Sequence, residues 1–455
     1  MKIKIVIFLG LALFLRLFLL DVSTHFLSDE SRDLVNIHQI WVEKKVTLVG
    51  PISDDRSHVY SSLTYYMLLP FAIGWNFDPL GTVVGAAFWG ILTWFLMIKM
   101  IQKYHPNWWL LGMGLATIWW PLISTSRWPW NPNLLLFWLF LGLFLNGSKN
   151  QIVRIATGLV FGLAIHHHYL AIIPAALMII KQRDWLLALG IAIALCPFII
   201  FDLRHPPGIF ISRMIDYNQG AVKLDLGNQI FKFKEIFAYL MEQIFQQKAI
   251  ILIGTMITLG LSVWDVFKNS SARGWLIMWL LTLVPLIFYS KQSHYLLPIL
   301  PFFVLWLFSK REFVGEKLAK SMVILIIIGS VFNIASHYQQ PDWMGDLRVL
   351  RGGTKIIKEQ IESQKLVNAN LAVLASPDIY PSGKKFRDLL LVNNIRLKMY
   401  EEYETSDNLF IITMADEPTL RKDPAAELAY FKNGPFAGLW QIPGTKWKVI
   451  QLNRY

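Results

Sequence analysis

The chain has 455 residues, of which 55% are hydrophobic and 16% are charged, and its formal net charge is +12. Apolar runs recur from the N-terminus to about residue 338, and runs of about 17–25 such residues are long enough to cross a bilayer as helices. This composition excludes a soluble protein with a single core. Because lysines and arginines lie in short links between apolar runs, the charge also argues against a nucleic-acid partner.

The chain is predicted to be a polytopic α-helical membrane protein in two parts, a membrane module of residues 1–338 and a soluble domain of residues 339–455. The basic links alternate along the chain, so the positive-inside rule places them and the N-terminus in the cytoplasm. The other links and the C-terminal domain are then extracytoplasmic. About eleven spans are predicted, at residues 5–21, 81–102, 107–126, 132–146, 153–166, 168–181, 185–202, 249–267, 274–290, 294–309 and 321–338.

The first outer loop, residues 22–80, begins with the sequence FLSDESRDL. Residues 29–42 are predicted to form a short amphipathic helix on the membrane surface, with apolar positions at helical spacing. Asp29 and Glu30 would lie in its first turn, where acidic side chains are favoured by the helix dipole. The spacing alone leaves open whether these two carboxylates only stabilise the helix or carry chemistry.

A second polar group in this loop contains Asp54, Asp55 and His58, and it is either a solvated turn or part of a site. The apolar residues 59–75 follow directly. We expect this segment to lie in the membrane interface, because a crossing would reverse every later loop against the positive-inside rule. The first outer loop is therefore predicted to contain interfacial helices.

Cations and polar side chains also occur in the later outer links. Arg127 lies between two predicted spans, either snorkelling to the interface or binding a lipid-borne phosphate. Three consecutive histidines follow in GLAIHHHYL, and because consecutive helical residues point about 100° apart they cannot alone form a metal site. A polar cavity wall, a metal ligand or an interfacial turn remain open for them. The further outer residues of this kind are Asn131, Arg204, Lys291 and His294.

The last part of the chain alternates helices and strands, with strands predicted at residues 371–376 and 408–415, which is typical of a small α/β domain. No phosphate loop, nucleophile elbow or metal signature is found in it. Its location outside the membrane suits acceptor binding, a lid or plain structural support. Acids in the first outer loop and cations in later outer turns suit a phosphorylated lipid together with an acceptor that must be activated.

Five stretches, in chain order, resemble motifs of a known family: FLSDESRDL, SHVYSSLTYYMLLP, SRWPWNPNLL, GLAIHHHYL and SHYLLPILP. The family is that of GT-C membrane glycosyltransferases of the protein O-mannosyltransferase and lipid A aminoarabinose transferase type, here called glycosyltransferase 39-like. The resemblance covers residues 1–340. It implies a GT-C-like fold and transfer of a sugar from a polyprenyl-phosphate carrier to a protein, lipid or glycan of the cell envelope, at the outer face of the plasma membrane.

The resemblance also implies roles for individual residues. Asp29 would be the general base, and Glu30 would support it or orient the acceptor. The donor phosphate would be bound by Arg127, Lys291, His294 and Arg204. The substrate cavity would be lined by Asp54, Asp55, His58, Tyr65, Asn131, His166, His167 and His168. No cofactor is firmly implied, although a divalent metal is compatible with the family. The alternatives are a transporter or flippase of a lipid-linked or polar substrate, and a non-catalytic assembly protein.

Overall fold

The computed structural model describes residues 2–52, 59–210, 226–268, 270–288, 291–339, 346–374 and 383–455. Its contacts group the chain into two compact units. The membrane unit consists of Met1–Phe18, Val46–Leu68 and Val83–Gln340, and the C-terminal unit consists of Leu19–Lys45, Leu69–Thr82 and Pro341–Tyr455. The division at residue 338 stays a prediction, and the structure adds that two segments of the first outer loop group with the C-terminal residues.

Helices form most of the described chain. In chain order they are α1 Lys2–Leu17, α2 Leu20–Ser23, α3 Ser28–Glu43, α4 Leu63–Gly74, α5 Pro79–Tyr104, α6 Trp109–Ile118, α7 Trp120–Ser126, α8 Leu135–Leu145, α9 Gln151–His167, α10 Ile172–Gln182, α11 Trp185–Arg204, α12 Leu226–Phe245, α13 Lys248–Lys268, α14 Ser270–Leu283, α15 Leu300–Leu307, α16 Phe313–Gln339, α17 Leu347–Gln364, α18 Lys384–Val392 and α19 Glu417–Leu420. Short 3₁₀ helices extend several of them, including Asn131–Leu134, Tyr169–Ala171 and Ser293–Ile299.

Five helices among the described residues are long and apolar enough to cross a membrane. They are Pro79–Tyr104, Trp185–Arg204, Lys248–Lys268, Ser271–Phe288 and Phe313–Tyr338. Four shorter apolar helices coincide with other predicted spans or with the interfacial segment: Leu63–Gly74, Asn131–Leu145, Tyr169–Gln182 and Ser293–Leu307. The prediction of a polytopic α-helical membrane protein is confirmed. The helix α12 was not predicted.

The predicted span 107–126 is broken into two helices, α6 and α7. Pro121 has no N–H to donate to the Thr117 carbonyl, so the carbonyls at the end of α6 lose helical partners. Arg16 of α1 is 0% exposed and donates to the Ala116 carbonyl at 3.2 Å and the Thr117 carbonyl at 3.4 Å. A buried cation therefore caps the C-terminus of α6, the end that the helix dipole makes attractive to positive charge.

The C-terminal unit contains a four-stranded sheet in the order β3-β4-β6-β5, where β3 is Ala369–Leu374, β4 is Asn408–Thr413, β5 is Phe436–Gln441 and β6 is Lys448–Asn453. The pair β3 and β4 is parallel, and the other two pairs are antiparallel. A separate hairpin of the membrane unit pairs β1, Val49–Ile52, with β2, Val59–Ser61. The small C-terminal α/β domain is confirmed; β5 and β6 were not predicted.

The helix α3 packs on α18 within the C-terminal unit. The contact includes a hydrogen bond in which Ser31 Oγ donates to Asp388 Oδ2 at 2.6 Å, and Lys384 lies 2.9 Å from the same carboxylate oxygen. Of the predicted apolar positions of α3, Leu34 and Ile37 are 1% and 0% exposed, whereas Ile40 is partly exposed and Trp41 is 41% exposed. The helix that begins with the acidic pair is therefore a structural part of the C-terminal unit.

Candidate active site

The predicted base, Asp29, lies in the first turn of α3. Its side chain is 35% exposed, and its Oδ1 pairs with Arg32 Nη1 at 2.9 Å. A general base must reach the proton that it removes, so partial exposure is a requirement that this carboxylate meets. The ion pair fixes one of its oxygens.

Glu30, the neighbouring acid, has a different environment. It is 3% exposed, and its Oε2 accepts a hydrogen bond from the Leu27 N–H at 2.7 Å. This is the return bond of a capping box, which satisfies a backbone donor at the start of a helix. In this structure the Glu30 carboxylate stabilises the N-terminus of α3, and it presents almost no surface to a ligand.

His167 is fully buried in the membrane unit. Its Nε2 accepts a hydrogen bond from the Trp138 indole N–H at 2.9 Å, and since that group can only donate, the ring proton lies on Nδ1. Nδ1 is 3.0 Å from Thr64 Oγ1, and the Asn131 amide donates to the His167 carbonyl at 2.6 Å. His167 and Asn131 thus join α4, α8 and α9 through satisfied hydrogen bonds, and neither side chain is available to a ligand in this arrangement.

His166 is also engaged by the protein. Its Nδ1 lies 2.9 Å from Ser61 Oγ, and its Nε2 lies 2.8 Å from the Ala194 carbonyl. A carbonyl can only accept, so the ring proton is on Nε2. The ring stacks on Phe198 with centroids 4.3 Å apart. His166 therefore connects β2 with α9 and α11.

The third histidine belongs to a different group, a row of rings from four segments of the membrane unit. We call this group the aromatic wall; its members are Tyr60, Trp128, Trp130, His168, Tyr169, His294 and Tyr295. All except His168 are partly exposed. The predicted site residues His168 and His294, which are 126 positions apart in the numbering, are brought together here with ring centroids 5.3 Å apart.

Ring contacts continue on both sides of His294. Its centroid lies 4.7 Å from that of Trp130, which in turn stacks on Trp128 at 4.5 Å with an interplanar angle of 9°. The ring of Tyr295 is 4.3 Å away on another side. Within the part of the chain that the structure describes, the His294 ring makes no hydrogen bond. A partly exposed imidazole bordered by aromatic rings is suited to contact a ligand that has both polar and apolar parts.

Tyr65 was predicted to line the substrate cavity. It is 1% exposed, so its ring presents no face to a ligand in this structure. The hydroxyl of the adjacent Tyr66 donates to the Thr47 carbonyl at 2.8 Å and accepts from the Thr47 N–H at 2.8 Å. Partly exposed ring surface around the predicted site residue His294 is provided instead by other members of the aromatic wall.

The four predicted cations differ in exposure. Arg127 is 1% exposed; its Nη1 donates to the Leu15 carbonyl at 3.2 Å, and its guanidinium lies 5.2 Å from the Tyr338 ring centroid. Like Arg16, it thereby caps the end of a helix, here α1. Lys291 and Arg204 are exposed, and the Lys291 ammonium lies 4.7 Å from the Tyr239 ring centroid. The two exposed side chains are free to reach a phosphate.

Asp54, Asp55 and His58 lie outside the described residues. The other predicted site residues divide between the units, with Asp29 and Glu30 in the C-terminal unit and the remainder in the membrane unit. No group of three His, Cys, Asp or Glu side chains that could hold a metal ion is found among the residues that the structure describes.

The sequence interpretation missed residues that hold the predicted site residues in place: Thr64 and Trp138 beside His167 in the membrane unit, and Arg32 beside Asp29 in the C-terminal unit. Thr64 and His167 are 103 residues apart, and such long-range contacts leave no periodic pattern in the sequence. Arg32 was detectable, since residues three apart on a helix are neighbours and SDESR places a cation three positions after Asp29.

No family model matches the chain. A search of curated proteins also finds no match. Among solved structures, the chain is similar to ArnT from Cupriavidus metallidurans bound to undecaprenyl phosphate, with 11% identity and a TM-score of 0.56, covering 99% of this chain and 98% of that one. The apo crystal structure of the same protein gives 11% identity and a TM-score of 0.56, covering 99% and 97%. The chain therefore has the fold of ArnT over nearly its whole length, and the predicted GT-C-like fold is confirmed.

Proposed function

We propose that this chain is a membrane glycosyltransferase that transfers a sugar from a polyprenyl-phosphate carrier to a hydroxyl of an envelope protein, lipid or glycan. The observation that carries the proposal is the likeness in fold to ArnT, a protein crystallised with undecaprenyl phosphate, over 99% of this chain. The orientation is proposed from the basic links: the N-terminus is cytoplasmic, and the C-terminal domain lies outside the inner membrane.

In the proposed reaction Asp29 removes the proton of the acceptor hydroxyl. The acceptor oxygen forms a bond to the anomeric carbon of the sugar while the bond from that carbon to the phosphate oxygen breaks. Polyprenyl phosphate leaves with the electron pair of the broken bond. The accessible carboxylate of Asp29 supports this assignment, and a well-placed general base contributes about 10²–10⁴ in rate.

The leaving phosphate gains negative charge, so cations near it lower the barrier. We assign this charge stabilisation to Lys291 and Arg204, which are exposed, and a hydrogen bond to the phosphate to His294 in the aromatic wall. The wall supplies apolar ring surface around His294, as expected for a ligand with a sugar and a lipid chain. Arg127, with 1% exposure, stabilises the membrane unit by its hydrogen bond to the Leu15 carbonyl.

The experiment measures transfer of labelled sugar from a polyprenyl-phosphate sugar pool in membranes containing wild-type protein or Asp29→Asn at matched expression. We expect the variant to lose about 10²–10⁴ in rate, because asparagine keeps the shape but cannot accept the proton. Omission or chelation of divalent metal in the same assay tests whether the reaction needs a metal ion.

Glu417→Gln is a matched control. Glu417 also lies in the first turn of a helix of the C-terminal unit, is 31% exposed and pairs with an arginine, Arg421, at 2.7 Å. We expect this variant to retain wild-type transfer. Equal transfer by wild type and Asp29→Asn would exclude Asp29 as the base, and no transfer by wild type from any lipid-phosphate sugar would favour a transporter or flippase.

A further inference from the structure

Arg32 connects two acidic residues of α3. Its Nη1 lies 2.9 Å from Asp29 Oδ1, and its Nε and Nη2 lie 3.0 Å and 2.9 Å from Asp33 Oδ1. The planar guanidinium offers several donors in a fixed geometry, so it can hold two carboxylates at once, as a lysine ammonium on its flexible stem cannot do equally well. One side chain therefore links the proposed base to a second acid.

The two acids differ in burial. The Asp33 side chain is 3% exposed, whereas that of Asp29 is 35% exposed. A buried carboxylate holds its cation firmly, since separating them would leave a buried charge without its partner. Asp33 therefore restricts the conformation of the Arg32 side chain. Because the guanidinium is already ordered, its ion pair with Asp29 costs little further side-chain entropy.

Ser31, the residue before Arg32, connects the same turn of α3 to α18. Ser31 Oγ donates to Asp388 Oδ2 at 2.6 Å, and Asp388 is held in turn by Lys384 at 2.9 Å. Ser31, Arg32 and Asp33 are consecutive, so the turn that carries Asp29 is fixed on one side by α18 and on the other by the buried acid. The C-terminal unit supplies the frame in which the Asp29 carboxylate is held.

We infer that Arg32 is a positioning residue, which orients the Asp29 carboxylate for proton removal from the acceptor and which is itself held by Asp33. This inference rests on the proposed function and deepens it. Because Arg32 acts through Asp29, it should not affect the rate of transfer once the Asp29 carboxylate is absent. The C-terminal unit thereby contributes to the reaction as the support of the base.

The test is a double-mutant cycle with Asp29→Asn and Arg32→Gln, in full-length protein, with kcat and acceptor KM measured for each variant. In the wild-type background we expect Arg32→Gln to lower kcat about 10–100-fold, because misplacement of a reacting group by about 1 Å can cost about 10²-fold. The acceptor KM should change less than about threefold, since Arg32 is not assigned to acceptor binding. In the Asp29→Asn background we expect no further loss.

Arg421→Gln is the matched control, because Arg421 is 26% exposed against 24% for Arg32, belongs to the same unit and pairs with an acid of its own helix. It should leave kcat unchanged. Arg32→Lys keeps the positive charge but lacks the planar guanidinium that can hold two carboxylates, so we expect an intermediate kcat. This variant replaces Arg32→Gln if Arg32→Gln does not fold.

Full transfer by Arg32→Gln or Arg32→Lys would overturn the inference. Equal losses from the arginine substitution in both backgrounds would also overturn it, since Arg32 would then act independently of Asp29. Absence of transfer in the wild-type protein would overturn the proposed function and this role with it, and that result is recognised from the wild type alone.

Discussion

Burial divides the candidate histidines into two kinds. His167 has both ring nitrogens occupied by neighbours, Nε2 by the Trp138 indole and Nδ1 by the Thr64 hydroxyl. His294 is partly exposed, and its contacts with the described residues are ring contacts alone. The same residue type therefore stabilises the fold at one position and is suited to contact a ligand at the other.

Replacement by phenylalanine is therefore expected to reduce stability at position 167 and sugar transfer at position 294. His167→Phe should lower the free energy of unfolding by about 1–3 kcal/mol, because it leaves the partly buried Trp138 N–H without its acceptor, while the Thr64 hydroxyl keeps its hydrogen bond to Asn131. His294→Phe should leave stability within about 0.5 kcal/mol, as is usual for substitutions that remove no buried partner. Its sugar transfer should fall about 2–10-fold, which corresponds to one hydrogen bond.

The measurement is thermal unfolding of the purified variants in detergent, with sugar transfer assayed in membranes. Trp130, whose ring adjoins His294, remains in both proteins, so the aromatic wall is otherwise unchanged. Similar melting temperatures for the two variants would contradict the assignment of His167 to the core and of His294 to the ligand surface.

At the scale of the elements, α9 and α11 pack closely against each other. Gly158 of α9 lies against Leu187 of α11, where an added Cβ would be 2.0 Å from the Leu187 carbonyl oxygen. Glycine permits this approach of two membrane helices, in which packing replaces the hydrophobic effect as the driving force. The N-terminal end of α11 is joined to α9 by an ion pair between Asp184 and Arg154, with Nη2 and Oδ1 2.5 Å apart.

The ion pair gives stability a defined pH dependence. The hydrogen bond from Arg154 lowers the pKa of Asp184, and hydrogen bonds from the Leu186 and Leu187 N–H groups act in the same direction. A carboxyl with a lower pKa in the folded state adds stability above its unfolded pKa, about 3.9, and this contribution is lost as the pH falls through the folded pKa.

We therefore expect the melting temperature to fall on acidification from pH 6 to pH 3, and the fall should be smaller in Asp184→Asn. Asparagine can still cap α11 through its side-chain oxygen, so the helix start is retained in this variant. Parallel pH profiles of wild type and Asp184→Asn, measured by thermal unfolding in detergent, would show that other groups produce the acid sensitivity.

For the whole molecule, the predicted orientation places the C-terminal domain outside and the basic links inside. Cys196 is the chain's one cysteine, so Cys196→Ser gives a background for single-cysteine labelling. In this background Lys355→Cys, at a site 77% exposed, should react with a membrane-impermeant maleimide in intact cells. Lys149→Cys, also at an exposed site, should react only after the membrane is permeabilised. The reverse labelling pattern would show that the orientation in the membrane is opposite to the predicted one.

The apolar runs were sufficient to predict the fold class and most helices of the membrane unit, because the length of a bilayer-spanning helix is set by the membrane. The helix α12 was missed because Lys232, Lys234 and Glu235 interrupt its apolar character. The strand β5 was missed because it is largely exposed and contains Gly438, so it lacks the alternation of a half-buried strand.

The candidate site was predictable only where its residues are local in sequence. The proposed role of Asp29 rests on its local motif and stays a prediction. The burial of Tyr65, which is 1% exposed, leaves no pattern in the surrounding sequence. The capping bond of Glu30 is a local feature that the sequence contained, since an acid three positions after Leu27 matches half of a capping box.

The hydrogen bond between Ser31 and Asp388 joins residues 357 positions apart. At a synthesis rate of about 5–20 residues per second, the ribosome needs roughly 20–70 s to reach the partner after the first of these residues has been made. During that interval α3 has no α18 to pack on. If the proposed function holds, we expect a nascent chain to acquire sugar transfer only after the C-terminal unit has been synthesised and has folded around α3.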